Sequence, residues 1–212
     1  MLNMNLPNTV LNVAKIVEQS KVNGPGLRFT IWVQGCSLRC EGCINKELWP
    51  KKTNQLIKLS DLLDRILNTP NIEGVTYTGG EPFEQAEALY YLSTLLKEKG
   101  YSIVSYSGFT YEEILNSDDK FKKLLLSTLD ILIDGRYEKD KSAPLLWRGS
   151  TNQRVLFLSP LYKHYEPMIN DLKLQMEFSI DPKGEEVSII GNFSYEILEE
   201  IRKRMKSYGI KI

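Results

Sequence analysis

All three cysteines of this 212-residue chain, Cys36, Cys40 and Cys43, fall within eight residues in a C-x3-C-x2-C pattern, with none left over. Two such short spacings let one loop wrap three corners of a metal centre, and soft thiolates select zinc or iron–sulfur clusters. Three thiolates leave one corner open, and an open metal position is where substrate chemistry happens. A structural zinc site needs a fourth ligand, and the only histidine, His164, is more than a hundred positions away. That distance lowers the zinc reading without removing it. A disulfide framework fails on the odd count and the tight spacing.

Composition narrows the class without naming a function. With 27 basic and 27 acidic residues the chain is neutral, and 42% hydrophobic content supplies one full core or one core plus an appendage. No basic stripe points to nucleic acid. The charge cluster Glu199-Glu200-Ile201-Arg202-Lys203-Arg204 reads as the solvated face of a helix, acids early and bases late. Few cysteines, no apolar leader and no long apolar span lead us to expect a cytoplasmic protein without a membrane partner.

The periodicity reads as alternating strands and helices. Leu11 to Val17 and Leu27 to Gln34 are strand-like and flank a Gly24-Pro25-Gly26 turn, and the cysteine loop follows the second at once. A helix is expected from Ser60, taken as its cap, then a strand from Val75 to Thr78, a helix from Glu84 to Lys99 and a strand from Tyr101 to Tyr106. One broken or two short helices span Tyr111 to Leu126, and Asp130 to Asp134 is again a strand. This order argues for βαβ units and a parallel sheet, whose ligand sites lie beyond the carboxyl ends of the strands. The loops at residues 35–50, 79–82, 106–109 and 134–137 all follow strands and should converge on one edge.

A second motif, Thr78-Gly79-Gly80-Glu81-Pro82, follows the third of these strands. Its glycines permit close backbone approach to a ligand, and its carbonyls and Glu81 are acceptors for an ammonium group. Alone it is an ordinary strand-ending turn. Some forty residues after a C-x3-C-x2-C loop, it resembles the radical S-adenosylmethionine (SAM) superfamily, in which three cysteines hold a [4Fe-4S] cluster and the Gly-Gly-Glu-Pro element contacts the SAM amino group.

Finer motifs resemble the activating enzymes of glycyl radical enzymes, and among them the activators of anaerobic ribonucleotide reductase. They are Asn23-Gly24-Pro25-Gly26, Cys43-Ile44-Asn45-Lys46, Tyr106-Ser107-Gly108, Leu132-Ile133-Asp134-Gly135-Arg136 and Trp147-Arg148-Gly149-Ser150-Thr151-Asn152-Gln153-Arg154. The resemblance implies a cluster on Cys36, Cys40 and Cys43 and a SAM site from Gly42, Ile44, Asn45, Gly79, Gly80, Glu81 and Tyr106. Asp134 and Arg148 are expected to position ribose or carboxylate, and no residue is assigned as a catalytic acid or base. The reduced cluster would pass one electron to SAM, giving methionine and a 5'-deoxyadenosyl radical that takes a hydrogen from a glycine of the partner enzyme. A flavodoxin or ferredoxin type of donor is implied. Much of the superfamily has an aromatic residue before the third cysteine, where this chain has Gly42, as the reductase activators tend to.

The chain then continues for about fifty residues past the point where such activators typically end. Leu172 to Ile180 alternates, Asp181-Pro182-Lys183-Gly184 is a turn signal and Glu186 to Ile190 alternates again, which reads as a β-hairpin. An amphipathic helix from Tyr195 to Ser207 follows, its stripe of Ile197, Leu198, Ile201 and Met205 expected to pack on the hairpin or core. The fold expected is α/β, an incomplete (β/α) barrel over residues 1–158 with an extension over 159–212. Competing readings are a radical SAM enzyme acting on another peptide, protein or small molecule, such as a carboxy-deazaguanine synthase, and a non-enzymatic zinc-binding module.

Overall fold

A computed structural model describes residues 9–180, 187–193 and 195–210. Its centre is a seven-stranded sheet containing β1 (Val10–Ser20), β2 (Arg28–Val33), β3 (Gln55–Lys58), β4 (Gly74–Gly79), β5 (Ser102–Tyr106), β6 (Ile131–Asp134) and β9 (Arg154–Phe157). The spatial order is β3-β1-β2-β4-β5-β6-β9. Strands β2, β4, β5 and β6 run parallel, whereas β1, β3 and β9 are antiparallel to their neighbours. The sheet is therefore mixed, not wholly parallel as the alternation of elements implies. Antiparallel neighbours flank the parallel centre on both sides, and β3 and β9 are not legible as strands in the sequence.

Helices α1 (Leu59–Leu67), α2 (Ala86–Glu98), α3 (Tyr111–Leu115) and α4 (Lys120–Thr128) supply the apolar cover for the sheet. Leu59, Leu62 and Ile66 of α1 and Leu89, Leu92 and Leu96 of α2 repeat at helical spacing and pack in one core with Phe29, Ile31, Val75 and Tyr77. Ser60 does not cap α1. The N-cap position is Lys58, and Ser60 lies inside the first turn with its hydroxyl on Asp61 Oδ1 at 2.9 Å. The stretch from Tyr111 resolves into two helices, the first closed by a Thr110/Glu113 capping box.

The Asn23-Gly24-Pro25-Gly26 opening has a structural reason. Arg28 on β2 is fully buried, and its guanidinium donates to Thr76 Oγ1 (2.7 Å), Pro25 O (3.2 Å), Val75 O (2.8 Å) and both Ser102 Oγ and Ser102 O (3.0 Å each). A buried cation is tolerated only when its donors are satisfied, and here carbonyls and hydroxyls do this without a carboxylate contact. The guanidinium thereby ties the turn before β2 to the starts of β4 and β5.

A second, smaller core of Val104, Ile131, Ile133, Leu146, Trp147 and Val155 takes in Tyr162, from the 3-10 stretch Pro160–Met168. The Tyr162 hydroxyl meets Ser102 Oγ at 2.8 Å, so the chain beyond residue 159 is fastened to the sheet. Strands β7 (Ser142–Leu145) and β8 (Arg148–Ser150) form a small ladder, and β10 (Met176–Ile180) pairs antiparallel with β11 (Val187–Gly191). The Asp181 to Gly184 turn lies outside the described residues. Helix α5 (Tyr195–Ser207) follows, with Leu198 buried, Ile197, Ile201 and Met205 half-buried, and its charges paired outward as Arg202–Glu199 and Arg204–Glu200. Asn192 clamps this part to the core, its amide donating to Leu145 O and to Lys173 O (2.7 Å) while its Oδ1 accepts from Gln175 N (2.7 Å).

Candidate functional site

The cysteine loop leaves the end of β2 and is wound by three residues at positive φ, Gly35, Arg39 and Gly42. Its base is pinned by Gly35 N to Leu48 O (2.9 Å) and Cys36 N to Trp49 O (3.1 Å). The Gly79-Gly80 turn ends the neighbouring strand β4, and the two loops are stitched by Gly80 N to Val33 O (2.8 Å) and Glu81 N to Gly35 O (2.9 Å). A Cβ added at Gly80 would lie 2.2 Å from Gly35 O, so only glycine allows this approach. Glu84, one turn further on, accepts from Ser37 and forms an ion pair with Lys51 at 2.9 Å, holding the loop from its outer side.

Cys36, Cys40 and Cys43 are free and half-exposed. They line a recess of about 130 Å³ together with Gly79, Gly80, Glu81 and Tyr106. A larger chamber of about 610 Å³ adjoins it and includes Gly42, Ile44, Asn45 and Arg148. Cys43, Thr78, Tyr106, Tyr137 and Gln153 line both spaces. Every residue expected at the site thus borders one space or the other except Asp134. The Asp134 carboxylate is fully buried and committed elsewhere, to Arg154 (2.9 and 2.5 Å) and Tyr111 N (2.7 Å). His164 lines neither space and stacks near Tyr165, ring centroids 4.5 Å apart.

Glu81 is also more than an acceptor on a loop. Its side chain is 1% exposed; Oε1 accepts from Phe83 N (3.0 Å) and Ser107 Oγ (2.9 Å), and Oε2 from Gly108 N (2.8 Å). It therefore bridges the loops that follow β4 and β5. Burial pushes its carboxyl up to about 7, with those three hydrogen bonds opposing the rise.

The chain's own geometry suits this donor set to a cluster. Burial raises the Cys36 and Cys43 thiols, while N–H groups of Leu38 and Arg39 at Cys36, and of Asn45 and the Trp49 indole at Cys43, act the other way. Such donors are what a thiolate bound to iron accepts. Three soft thiolates on one loop, lining one recess, are the donor set that an iron–sulfur cluster would take.

Sequence reasoning misses Tyr137 and Gln153, which line both spaces. Gln153 lies inside a motif singled out for other reasons, but Tyr137 carries no pattern. Gly42 also acquires a concrete role, since a Cβ there would come within 3.1 Å of both Tyr137 and Lys139.

Comparison with known proteins decides the family. The family model described as "4Fe-4S single cluster domain" matches residues 22–156. An anaerobic ribonucleoside-triphosphate reductase-activating protein from Enterobacteria phage T4 is 33% identical over 153 residues, covering 68% of this chain and 93% of the relative. The chain belongs to this family. The protein of the same name from Pasteurella multocida is 33% identical, covering 68% of this chain and 96% of its own. That of Escherichia coli K12 is 30% identical, with 63% and 90% covered. A crystal structure of QueE from Escherichia coli matches at a TM-score of 0.38 and 24% identity over 48% of this chain and 53% of its own, too partial a likeness to bear on the fold. The family match stops at residue 156, so the extension is this chain's own feature relative to it. None of the described helices is long and apolar enough to cross a membrane.

Proposed function

We propose that the chain is a radical SAM enzyme whose Cys36, Cys40 and Cys43 hold a [4Fe-4S] cluster and which installs a glycyl radical on an anaerobic ribonucleoside-triphosphate reductase. The observation that carries this is the junction of the three-thiol loop and the Gly79-Gly80-Glu81 turn in one recess, stitched by Glu81 N to Gly35 O. When bound, the reduced cluster and SAM would supply the difficult chemistry, one-electron reductive cleavage of SAM coupled to hydrogen-atom abstraction from a glycine α-carbon of the partner. The electron comes from a one-electron donor of the flavodoxin or ferredoxin type.

The chain's own residues bind and orient. Carbonyls of the Gly79-Gly80 turn would hold the SAM ammonium, and Glu81 holds that turn against the β5 loop, where its ionised form would add negative charge behind it. Gly42, Ile44, Asn45 and Tyr106, which line the adjoining chamber, would hold the adenosine. Asp134 acts at one remove, fixing the Tyr111 end of the β5 loop. The sheet with its half-buried cysteine edge reads as an incomplete barrel over residues 1–158, with residues 159–212 as an extension built around the β10–β11 pair. Anaerobic reconstitution should give close to four irons and four sulfides per chain. Mixing with SAM, reductant and the reductase from the same genome should then give a glycyl radical in electron paramagnetic resonance. SAM cleavage with no such signal would remove the reductase and leave the radical chemistry.

A further inference from the structure

The β10–β11 pair stands against the core without joining its sheet. Lys15 on β1 donates to Ser188 Oγ, Lys21 N donates to Glu177 Oε1 (2.6 Å) and Asn192 Nδ2 donates to Leu145 O. None of these ties uses the main chain of β11. Among the described residues β10 is the one strand paired with β11, so the second edge of β11 is open.

That edge faces the larger chamber. A strand lying broadside to a cavity offers it every second residue, because successive side chains alternate between faces. Here Val187 to Phe193 line the chamber in unbroken succession, and no residue of β10 does. The side of β11 turned to the chamber is therefore the one away from β10. The register tells which main-chain groups lie there. Asn192 N donates to Gln175 O at 3.1 Å, one step beyond the Met176–Gly191 pair. Bonded and non-bonded pairs alternate along an antiparallel ladder. Glu177–Ile190 and Ser179–Ser188 are thus bonded pairs, whereas the N–H and C=O groups of Val187, Ile189 and Gly191 point away from β10. No other described residue bonds to those groups.

An open strand edge is a template. Its N–H and C=O groups recur at strand spacing, and what matches them is another extended main chain. This edge is half-buried and stands in the wall of a chamber of about 610 Å³ that shares Cys43, Thr78, Tyr106, Tyr137 and Gln153 with the cysteine recess. A chain laid along β11 from Val187 to Gly191 runs roughly 13 Å within the space that opens onto the cysteines.

We propose that the open edge of β11 is the docking site for the substrate polypeptide, an extended segment of the reductase that adds as a third strand to the β10–β11 pair. This rests on the reading of the chain as an enzyme that acts on a protein. Contacts from main chain to main chain hold a glycine as well as any other residue, which suits a segment whose reacting position has no side chain to grip.

The test is hydrogen exchange, read residue by residue by mass spectrometry, on the full-length, anaerobically reconstituted protein with SAM. The probes are the reductase from the same genome and, separately, the peptide acetyl-Thr-Val-Thr-Gly-Thr-Val-Thr-amide at millimolar concentration. Either should slow the amides of Val187, Ile189 and Gly191 and leave those of Ser188 and Ile190, already bonded to β10, unchanged. Ile189→Pro removes one outward N–H without touching the ladder to β10. It should weaken reductase binding at least about tenfold, with the SAM dissociation constant within twofold of the parent, while Ile189→Val binds like the parent. Unchanged exchange at Ser188 and Ile190 certifies the hairpin in the proline variant, and Val187→Pro is the second variant of the same kind. No slowing by either probe overturns the proposal, as does reductase binding that both proline variants leave intact. Slow exchange at Val187, Ile189 and Gly191 before any probe is added also overturns it, since this chain or a second copy then fills the edge. Slowing by the peptide with no binding of the reductase removes that partner and leaves the strand-docking site standing.

Discussion

Glu81 carries a measurable consequence of being buried with three donors around it. Its carboxyl is raised from 4.5 to about 7, so the folded state holds a proton that the unfolded chain has released over the window between those values. A raised acid binds more protons folded than unfolded, and stability therefore falls as pH rises through the window and levels off above it. At 1.36 kcal/mol per pH unit the full effect is about 3 kcal/mol, of which about 2 kcal/mol develops between pH 5.5 and 8. Glu81→Gln removes the titration while keeping the shape, so the difference in unfolding free energy between parent and variant isolates this one group. Urea unfolding of the cluster-free chain at several pH values should show that difference shifting by about 2 kcal/mol in favour of the variant as pH rises from 5.5 to 8. The constant offset between the two proteins reports instead the Gly108 N–H, which would face an amide NH2 in one orientation of the glutamine. Parallel stability curves across that range would refute the assignment of a raised carboxyl to Glu81.

The same carboxyl predicts that SAM binding near pH 7 releases protons, because an arriving ammonium favours the ionised form; calorimetry in buffers of different ionisation enthalpy reads this, and buffer-independent heats would place the ammonium elsewhere. Alanine at Cys36, Cys40 or Cys43 should each abolish SAM cleavage and lower bound iron with little change in the far-UV dichroism of the cluster-free chain, and retained cleavage in any one would remove that ligand. Gly80→Val puts side-chain atoms onto Gly35 O and should cost SAM affinity more than Glu81→Gln, with calorimetric titration as the check. Arg28→Met strands carbonyls and hydroxyls at the Pro25 turn and should cost more than about 3 kcal/mol, a fall in melting temperature of at least about 6 °C, and a loss under about 3 °C would mean that water replaces the guanidinium. Deleting residues 176–212 should spare uncoupled SAM cleavage and remove transfer to the partner, whereas loss of both together would make the extension a structural part of the core.

How much of this is legible in the chain follows from what each feature depends on. The cysteine loop and the Gly79-Gly80 turn are readable because both need particular residue types at short spacing, and the convergence of their loops follows from the strands they terminate. Strands β3 and β9 are not readable, since four-residue edge segments such as Gln55–Lys58 carry too little alternation. Asp134 is misread from sequence for a physical reason: a carboxylate at a strand end looks the same whether it faces a ligand or an arginine twenty residues on. The seat of the extension on β1, where Lys15 donates to Ser188 Oγ, is a contact across more than 170 positions, which no local pattern encodes.

The Trp147 to Arg154 run shows where motif and chemistry part. Asn152 Nδ2 donates to Arg136 O at 2.7 Å and Gln153 Nε2 to Gly135 O at 3.2 Å, while Gln153 Oε1 accepts from Gly149 N and Ser150 N. Two amide side chains thus grip the backbone of the loop after β6, and an amide is the residue type able to donate and accept at once. That loop carries Gly135 and Tyr137 to the recess beside the cysteines. The asparagine and glutamine are accordingly selected by the shape of a loop wall, while Arg148 of the same run keeps a buried Nε unpaired. Asn152 and Gln153 are therefore scaffolding for the wall of the recess that holds the cysteines, positioning Gly135 and Tyr137 without touching a ligand themselves.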